Sequence, residues 1–120
     1  MPNRIAIIDD DTAVRESTRG LLRSLSYDVC AFASAEDFLS SGEINLIACI
    51  ITDVRMPGMS GVALQARLIE EGRHVPIIFI TAFPEEKVRQ QALAAGAGCF
   101  LAKPYEERSL IKCIEAALAA

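Results

Sequence analysis

Cys49-Ile50-Ile51-Thr52-Asp53-Val54-Arg55-Met56-Pro57-Gly58-Met59-Ser60-Gly61 is the stretch on which the fold turns: an apolar run stops at one carboxylate, and a turn rich in Pro and Gly follows. An apolar run with β-branched residues and no alternation is the pattern of a strand buried on both faces, as in a parallel sheet covered by helices. The carboxyl ends of such strands open on a crevice where ligands bind. Asp53 is therefore the first candidate for a reactive group. An isolated aspartate after a strand is more often a turn former, so the rest of the chain has to decide between the two.

Four further segments share the strand pattern. Ile5-Ala6-Ile7-Ile8 breaks into Asp9-Asp10-Asp11, and Asp28 to Phe32 forms a second strand before the one that runs from Leu46 to Thr52. Val75 to Ile80 is the fourth, ending at Thr81-Ala82, and Cys99 to Ala102 is the fifth, ending at Lys103-Pro104. Helical spacing lies between them. Val14, Thr18, Leu21, Leu22 and Leu25 mark one helix, capped by Asp11 or Thr12. Ser34-Ala35-Glu36-Asp37 resembles a capping box opening a short helix, and Ser60 or Gly61 starts a third. Glu85 to Ala95 is a fourth, stopped by Gly96, and Leu110, Ile111, Ile114, Ala117 and Leu118 mark the last.

Fivefold alternation of strand and helix with right-handed crossovers gives a parallel sheet between two helical layers. The expected class is α/β, a flavodoxin-like doubly wound five-stranded parallel sheet of order 2-1-3-4-5 with five helices. The strand ends help choose that order. Strands one, three, four and five end in Asp9 and Asp10, Asp53, Thr81 and Lys103, whereas strand two ends in Ala33-Ser34. In the order 2-1-3-4-5 the four reactive ends are contiguous.

A chain of 120 residues is read as a single domain, 1–120, able to bury a core without metals or disulfides. Its net charge of −4 and the lack of a dense Lys/Arg cluster predict no direct nucleic-acid contact. Cys30, Cys49, Cys99 and Cys113 form no C-x-x-C pair and are read as reduced core residues of a cytosolic protein. Met1-Pro2-Asn3-Arg4 has no signal-peptide layout, and no apolar run reaches membrane-spanning length, so a soluble cytoplasmic protein without membrane contact is expected.

Three carboxylates in one crevice, Asp9, Asp10 and Asp53, repel one another and so hold a proton or bind a cation. Oxygen donors without a nearby histidine suit Mg²⁺, and His74, the one histidine, is read as a solvated loop residue. Lys103 adds a positive charge and Thr81 a hydroxyl at the same edge, which together describe a site for a tetrahedral dianion. Phosphoryl transfer needs mainly positioning and charge neutralisation, and a carboxylate can be the acceptor. Each residue also has a plainer reading: a helix-capping run for Asp9 to Asp11, an ordinary strand residue for Thr81, a surface charge for Lys103. Their recurrence at successive strand ends favours the site.

With these features the chain resembles the receiver domain of two-component response regulators, a CheY-like fold, over residues 4 to 119. The matching residues are Asp9-Asp10, Asp53 within Thr-Asp-Val-Arg-Met-Pro-Gly-Met-Ser-Gly, Thr81-Ala82 and Lys103-Pro104. The resemblance implies that Asp53 accepts a phosphoryl group from a phosphohistidine on a sensor histidine kinase. Mg²⁺ would be held by Asp10, Asp53 and the backbone carbonyl of Arg55, with Asp9 acting through metal-bound water. Lys103, the Thr81 hydroxyl and the amides of Arg55 and Ala82 would bind the phosphoryl oxygens. It further implies a cis Lys103-Pro104 bond and a switch in which Thr81 moves toward the phosphate while Phe100 turns inward. Lacking a hydroxyl, Phe100 would favour the inward position even before phosphorylation. Arg55 and Phe83 occupy the positions that tune dephosphorylation in the family.

Such a domain is not a turnover enzyme; it catalyses its own phosphorylation and dephosphorylation. The Arg-Met-Pro-Gly-Met-Ser-Gly wording resembles receivers of the nitrogen-fixation regulator type, joined to helix-turn-helix output domains that control transcription. A phosphorylation-dependent homodimer through the fourth helix, fifth strand and fifth helix is implied as well. Three rivals remain: a haloacid-dehalogenase-type phosphatase using the Asp-x-Asp of Asp9 to Asp11, a flavin-binding electron carrier, and an adaptor that has lost phosphorylation. The first would need a further acidic pair after Lys103, where only Glu106 and Glu107 follow; the second would need Ser/Thr and Gly in the acidic loop.

Overall fold

A computed structural model describes residues 4–119. Met1, Pro2 and Asn3, on which the reading of the amino terminus rests, lie outside the described residues, as does Ala120. The elements run β1 (Arg4–Ile8), α1 (Thr12–Ser24), β2 (Asp28–Phe32), α2 (Ala35–Ser40), a 3-10 turn (Ile44–Leu46), β3 (Ile47–Asp53), α3 (Gly61–Glu70), β4 (Ile77–Thr81), α4 (Glu86–Ala94), β5 (Cys99–Ala102) and α5 (Glu107–Ala119). The five strands form one parallel sheet in the order β2-β1-β3-β4-β5, the order expected from the strand ends. Among the described residues no helix is long and apolar enough to cross a membrane.

The sheet separates two cores, which is why its central strands read as continuous apolar runs. Ala6, Ile8, Ile50 and Phe79 point to one side and pack with Phe38 of α2, Leu64 and Leu68 of α3 and Ala92 of α4. Ile5, Ile7, Cys49, Ile51, Ile78 and Ile80 point to the other and pack with Leu22 of α1 and with Leu110 and Ile114 of α5. Residues alternate between faces along each strand, so a run buried on both sides leaves no polar position to mark the period.

Strand boundaries shift where local chemistry intervenes. Ile44–Leu46 close a 3-10 turn with Leu46 exposed, so β3 begins at Ile47. β4 begins at Ile77, not Val75; Pro76 has no N–H to give the ladder and contributes only its carbonyl, which accepts from the Ile50 N–H at 2.9 Å. The helix starts follow their caps. Asp11 accepts from the N–H groups of Ala13 and Val14, Ser34 from that of Asp37, and Ser60 from that of Ala63. Ser60→Ala is expected to cost about 1 kcal/mol in urea unfolding, the usual cost of removing an N-cap hydroxyl; an unchanged midpoint would show that α3 is held by packing alone.

The cysteines require a correction. Cys99 on β5 and Cys113 on α5 are joined by a disulfide, with Cα atoms 6.1 Å apart, while Cys30 and Cys49 are free. The two lie 14 positions apart in the sequence, and only the return of α5 across the sheet brings them together. Burial pushes the Cys49 thiol up to about 12, and burial with the nearby Glu43 carboxylate pushes Cys30 up to about 11.

Candidate functional site

β1 and β3 are neighbours in register, so the acidic residues that end them meet at one edge of the sheet. One carboxylate oxygen from each of Asp9, Asp10 and Asp53 lies within 4.8 Å of the others. Asp9 and Asp53 are buried and Asp10 is exposed, giving a cluster with a floor inside the protein and a rim in solvent. Lys103 enters from the end of β5. Its Nζ donates to Asp53 Oδ2 at 2.8 Å and to Asp9 Oδ2 at 3.0 Å. The Arg55 N–H donates to Asp53 Oδ1 at 3.2 Å, so each oxygen of Asp53 accepts a hydrogen bond. The Lys103-Pro104 peptide is cis, and the Lys103 N–H donates to the Thr81 carbonyl at 2.8 Å.

The charges of this site are strongly unequal in their comfort. Burial raises Asp9 above the ordinary carboxylate value, assisted by the Asp53 charge; the Asp11 N–H at 2.9 Å and Lys103 oppose this without cancelling it. Burial works against the Lys103 ammonium, yet its bonds to Asp53 and Asp9 prevail and hold it above the ordinary lysine value. One ammonium thus faces two buried carboxylates, with a third acid at the rim. Hard oxygen donors alone, with solvent access on the Asp10 side, fit a divalent cation that keeps part of its water shell. His74, exposed at the other end of the sheet, takes no part.

Thr81 and Phe100 are near but differently engaged. Thr81 is buried at the end of β4, and its hydroxyl accepts the Phe83 N–H at 3.1 Å, within its own loop. Phe100 is half-buried on the first core, its ring centroid 6.1 Å from that of Phe79. Ala82 is exposed, with no side chain large enough to cover the crevice. The Arg55 side chain turns away from Asp53, pairs with Glu85 and stands 6.0 Å from the centre of the exposed Phe83 ring, linking the loops that follow β3 and β4.

Several supports had no mark in the sequence. The Arg15 guanidinium donates to the Asp9 carbonyl at 2.7 Å, and Glu36 of α2 accepts the Met59 N–H at 3.1 Å, steadying the turn after Asp53. Thr18 of α1 and Tyr105, two residues after Lys103, share a hydroxyl hydrogen bond of 2.6 Å. Gly61 lies so close to the Asp53 carbonyl that no Cβ fits between them. The spacing of glycines after Asp53 was the one available signal, and it reads equally well as a turn.

Fold and site together define a phosphoacceptor module, and the chain belongs to the response regulator receiver domain family, whose model matches residues 5–115. It is 42% identical over 115 residues to the transcriptional regulatory protein TdiR of Thauera aromatica, covering 96% of this chain and 51% of that protein. The structure of the response regulator StyR superposes with a TM-score of 0.90 at 41% identity, over 97% of this chain and 59% of that one. That of FixJ-N superposes with a TM-score of 0.87 at 33% identity, over 99% and 95%. The chain therefore spans about half the length of the curated relatives it matches. Its architecture, with the Asp9, Asp10 and Asp53 cluster, suits acceptance of a phosphoryl group by the protein itself, not turnover of a separate substrate.

Proposed function

We propose that Asp53 accepts a phosphoryl group from a phosphohistidine of a sensor histidine kinase in a Mg²⁺-dependent reaction. The observation that carries this is the placement of Lys103 Nζ 2.8 Å from Asp53 Oδ2 beside two further carboxylates. An Asp53 oxygen attacks phosphorus, the bond from phosphorus to the imidazole nitrogen breaks, and its electron pair returns to the imidazole, leaving an aspartyl phosphate. Asp10, Asp53 and the Arg55 carbonyl would hold Mg²⁺, with Asp9 holding a water of its shell. The ion would supply charge neutralisation for the phosphoryl oxygens. Lys103 exchanges a carboxylate oxygen for a phosphoryl oxygen, and the N–H groups of Arg55 and Ala82 donate to the others. Thr81 then gives up its bond to the Phe83 N–H and donates its hydroxyl to the phosphate, and Phe100 follows into the space vacated.

Residues 1–120 act as one receiver domain of a cytoplasmic protein, dimerise on phosphorylation through α4, β5 and α5, and touch neither nucleic acid nor membrane. A helix-turn-helix domain outside these residues would carry transcriptional output; TdiR, of similar sequence over half its length, is named a transcriptional regulatory protein.

Intact mass after incubation with acetyl phosphate tests the central claim. One phosphoryl increment is expected with Mg²⁺, none without it, and none in Asp53→Asn; an increment that persists in the variant overturns the assignment. Mg²⁺ alone should also stabilise the fold. At a hundredfold excess over its Kd the gain is about 2.7 kcal/mol, read as a rise in the thermal midpoint that Asp10→Asn abolishes.

A further inference from the structure

Cys99 and Cys113 lie on different elements, β5 and α5, and both are half-buried. Their Cα separation of 6.1 Å falls within the range that a disulfide spans without backbone movement. Cys113 also lines a surface cavity of about 360 Å³ at the end of the sheet away from Asp53, together with Leu68, His74, Pro76, Gly96 and Ala117. The cavity offers a small thiol or disulfide an approach to Cys113. The two free cysteines are poor competitors. Burial keeps Cys49 and Cys30 protonated, and the thiolate is the reactive form.

We propose that Cys99 and Cys113 form a reversible dithiol–disulfide site, worked by small-molecule disulfides and thiols through the cavity beside Cys113, and that its oxidised form favours the unphosphorylated arrangement. Oxidation proceeds by exchange. The Cys113 thiolate attacks one sulfur of a glutathione-type disulfide, that S–S bond breaks, and one glutathione thiolate leaves. The Cys99 thiolate then attacks the Cys113 sulfur of the mixed disulfide and expels the second glutathione. The two cysteines lose two electrons, the small disulfide gains them, and the two thiol protons pass to the released thiolates.

The second half rests on the phosphoacceptor reading. Cys99 faces the core shared with α5, whereas its neighbour Phe100 faces the core shared with α4. The cross-link and Phe100 therefore share only the β5 backbone. It is compatible with the arrangement in which Lys103 is bonded to Asp53. An inward turn of Phe100 on phosphorylation would shift β5 against α5, and a covalent tie between the two elements makes that shift costlier, which biases the two-state equilibrium toward the unphosphorylated arrangement.

The chain is equilibrated with reduced and oxidised glutathione in varied ratio, quenched in acid, unfolded, alkylated with N-ethylmaleimide and weighed. Four adducts are expected under reducing conditions and two under oxidising ones, with the linkage mapped to Cys99 and Cys113 and reopened by reduced glutathione. Four adducts at every ratio, a lasting glutathione adduct, or a linkage that never reopens would overturn the thiol site. With acetyl phosphate and Mg²⁺, the reduced protein should carry about fivefold more phosphoryl at steady state than the oxidised one, the low end of ordinary coupling, and Cys113→Ala should abolish the difference. Equal phosphorylation in both redox states overturns the coupling alone. No phosphorylation in either state removes the phosphoacceptor reading and the coupling with it, while the adduct count still decides the thiol site.

Discussion

Lys103→Met is expected to lower the rate of phosphoryl incorporation at Asp53 by about a hundredfold or more, the scale set by removing one preorganised donor from a developing anion. Methionine keeps the length of the side chain and removes its charge. Asp53 Oδ2 and Asp9 Oδ2 would both lose their ammonium partner, so the loss acts on both buried carboxylates at once. A time course of intact mass with acetyl phosphate and Mg²⁺ reads the rate; a rate close to that of the parent would remove Lys103 from the chemistry. The pH dependence of stability should change as well. Lys103 is held above its ordinary value, so its contribution is complete below the ordinary lysine pKa of about 10.4 and disappears as pH rises through the raised value. The variant should lack that alkaline loss. Asp9 is raised too, so in both proteins its contribution favours folding at acid pH and is lost as pH rises through its raised value.

Gly61→Ala should be the most damaging single methyl group in the chain, costing about 3 kcal/mol in urea unfolding. Its Cβ would strike the carbonyl oxygen of Asp53, which is backbone and cannot swing aside, and would come within 3.1 Å of Phe79 Cε1 in the core. The Gly61 N–H also donates to the Val54 carbonyl at 2.9 Å, so the glycine cannot retreat without breaking that bond. The same substitution at Gly20 meets nothing within 4 Å in the exposed face of α1. Gly20→Ala should therefore stabilise by about 0.5–1 kcal/mol. Matched losses at the two sites would mean that the close approach at Gly61 is relaxed at little cost.

Much of the architecture was legible because it rests on local patterns. The run from Ile47 to Thr52 is buried on both faces, Ser34 and Ser60 are caps with their partners three residues on, and Gly96 ends α4 with φ of 104°. The strand order followed from chemistry at the strand ends, which a parallel sheet gathers at one edge. The meeting of Asp9, Asp10 and Asp53 was likewise a consequence of topology. Contacts made by returning elements were not legible. Cys99 and Cys113 looked like separate core residues because their spacing carries no disulfide signature, and the Thr18 to Tyr105 and Glu36 to Met59 bonds join residues 87 and 23 positions apart. Pro76 shortened β4 by a rule the sequence did display, but the apolar character of Val75 masked it.

The hydrogen bond between Tyr105 and Thr18 also makes the molecule an optical instrument. The chain has two tyrosines and no tryptophan, so its near-ultraviolet emission comes from Tyr105, in the loop just beyond Lys103, and from Tyr27, in the turn before β2 at the far end of the sheet. One fluorophore sits in the loop beside the acidic cluster and the other at the opposite end of the sheet. Tyr27 then serves as an internal reference, and if Asp53 is phosphorylated as proposed, a change in the emission of Tyr105 would follow that event in real time, without a dye.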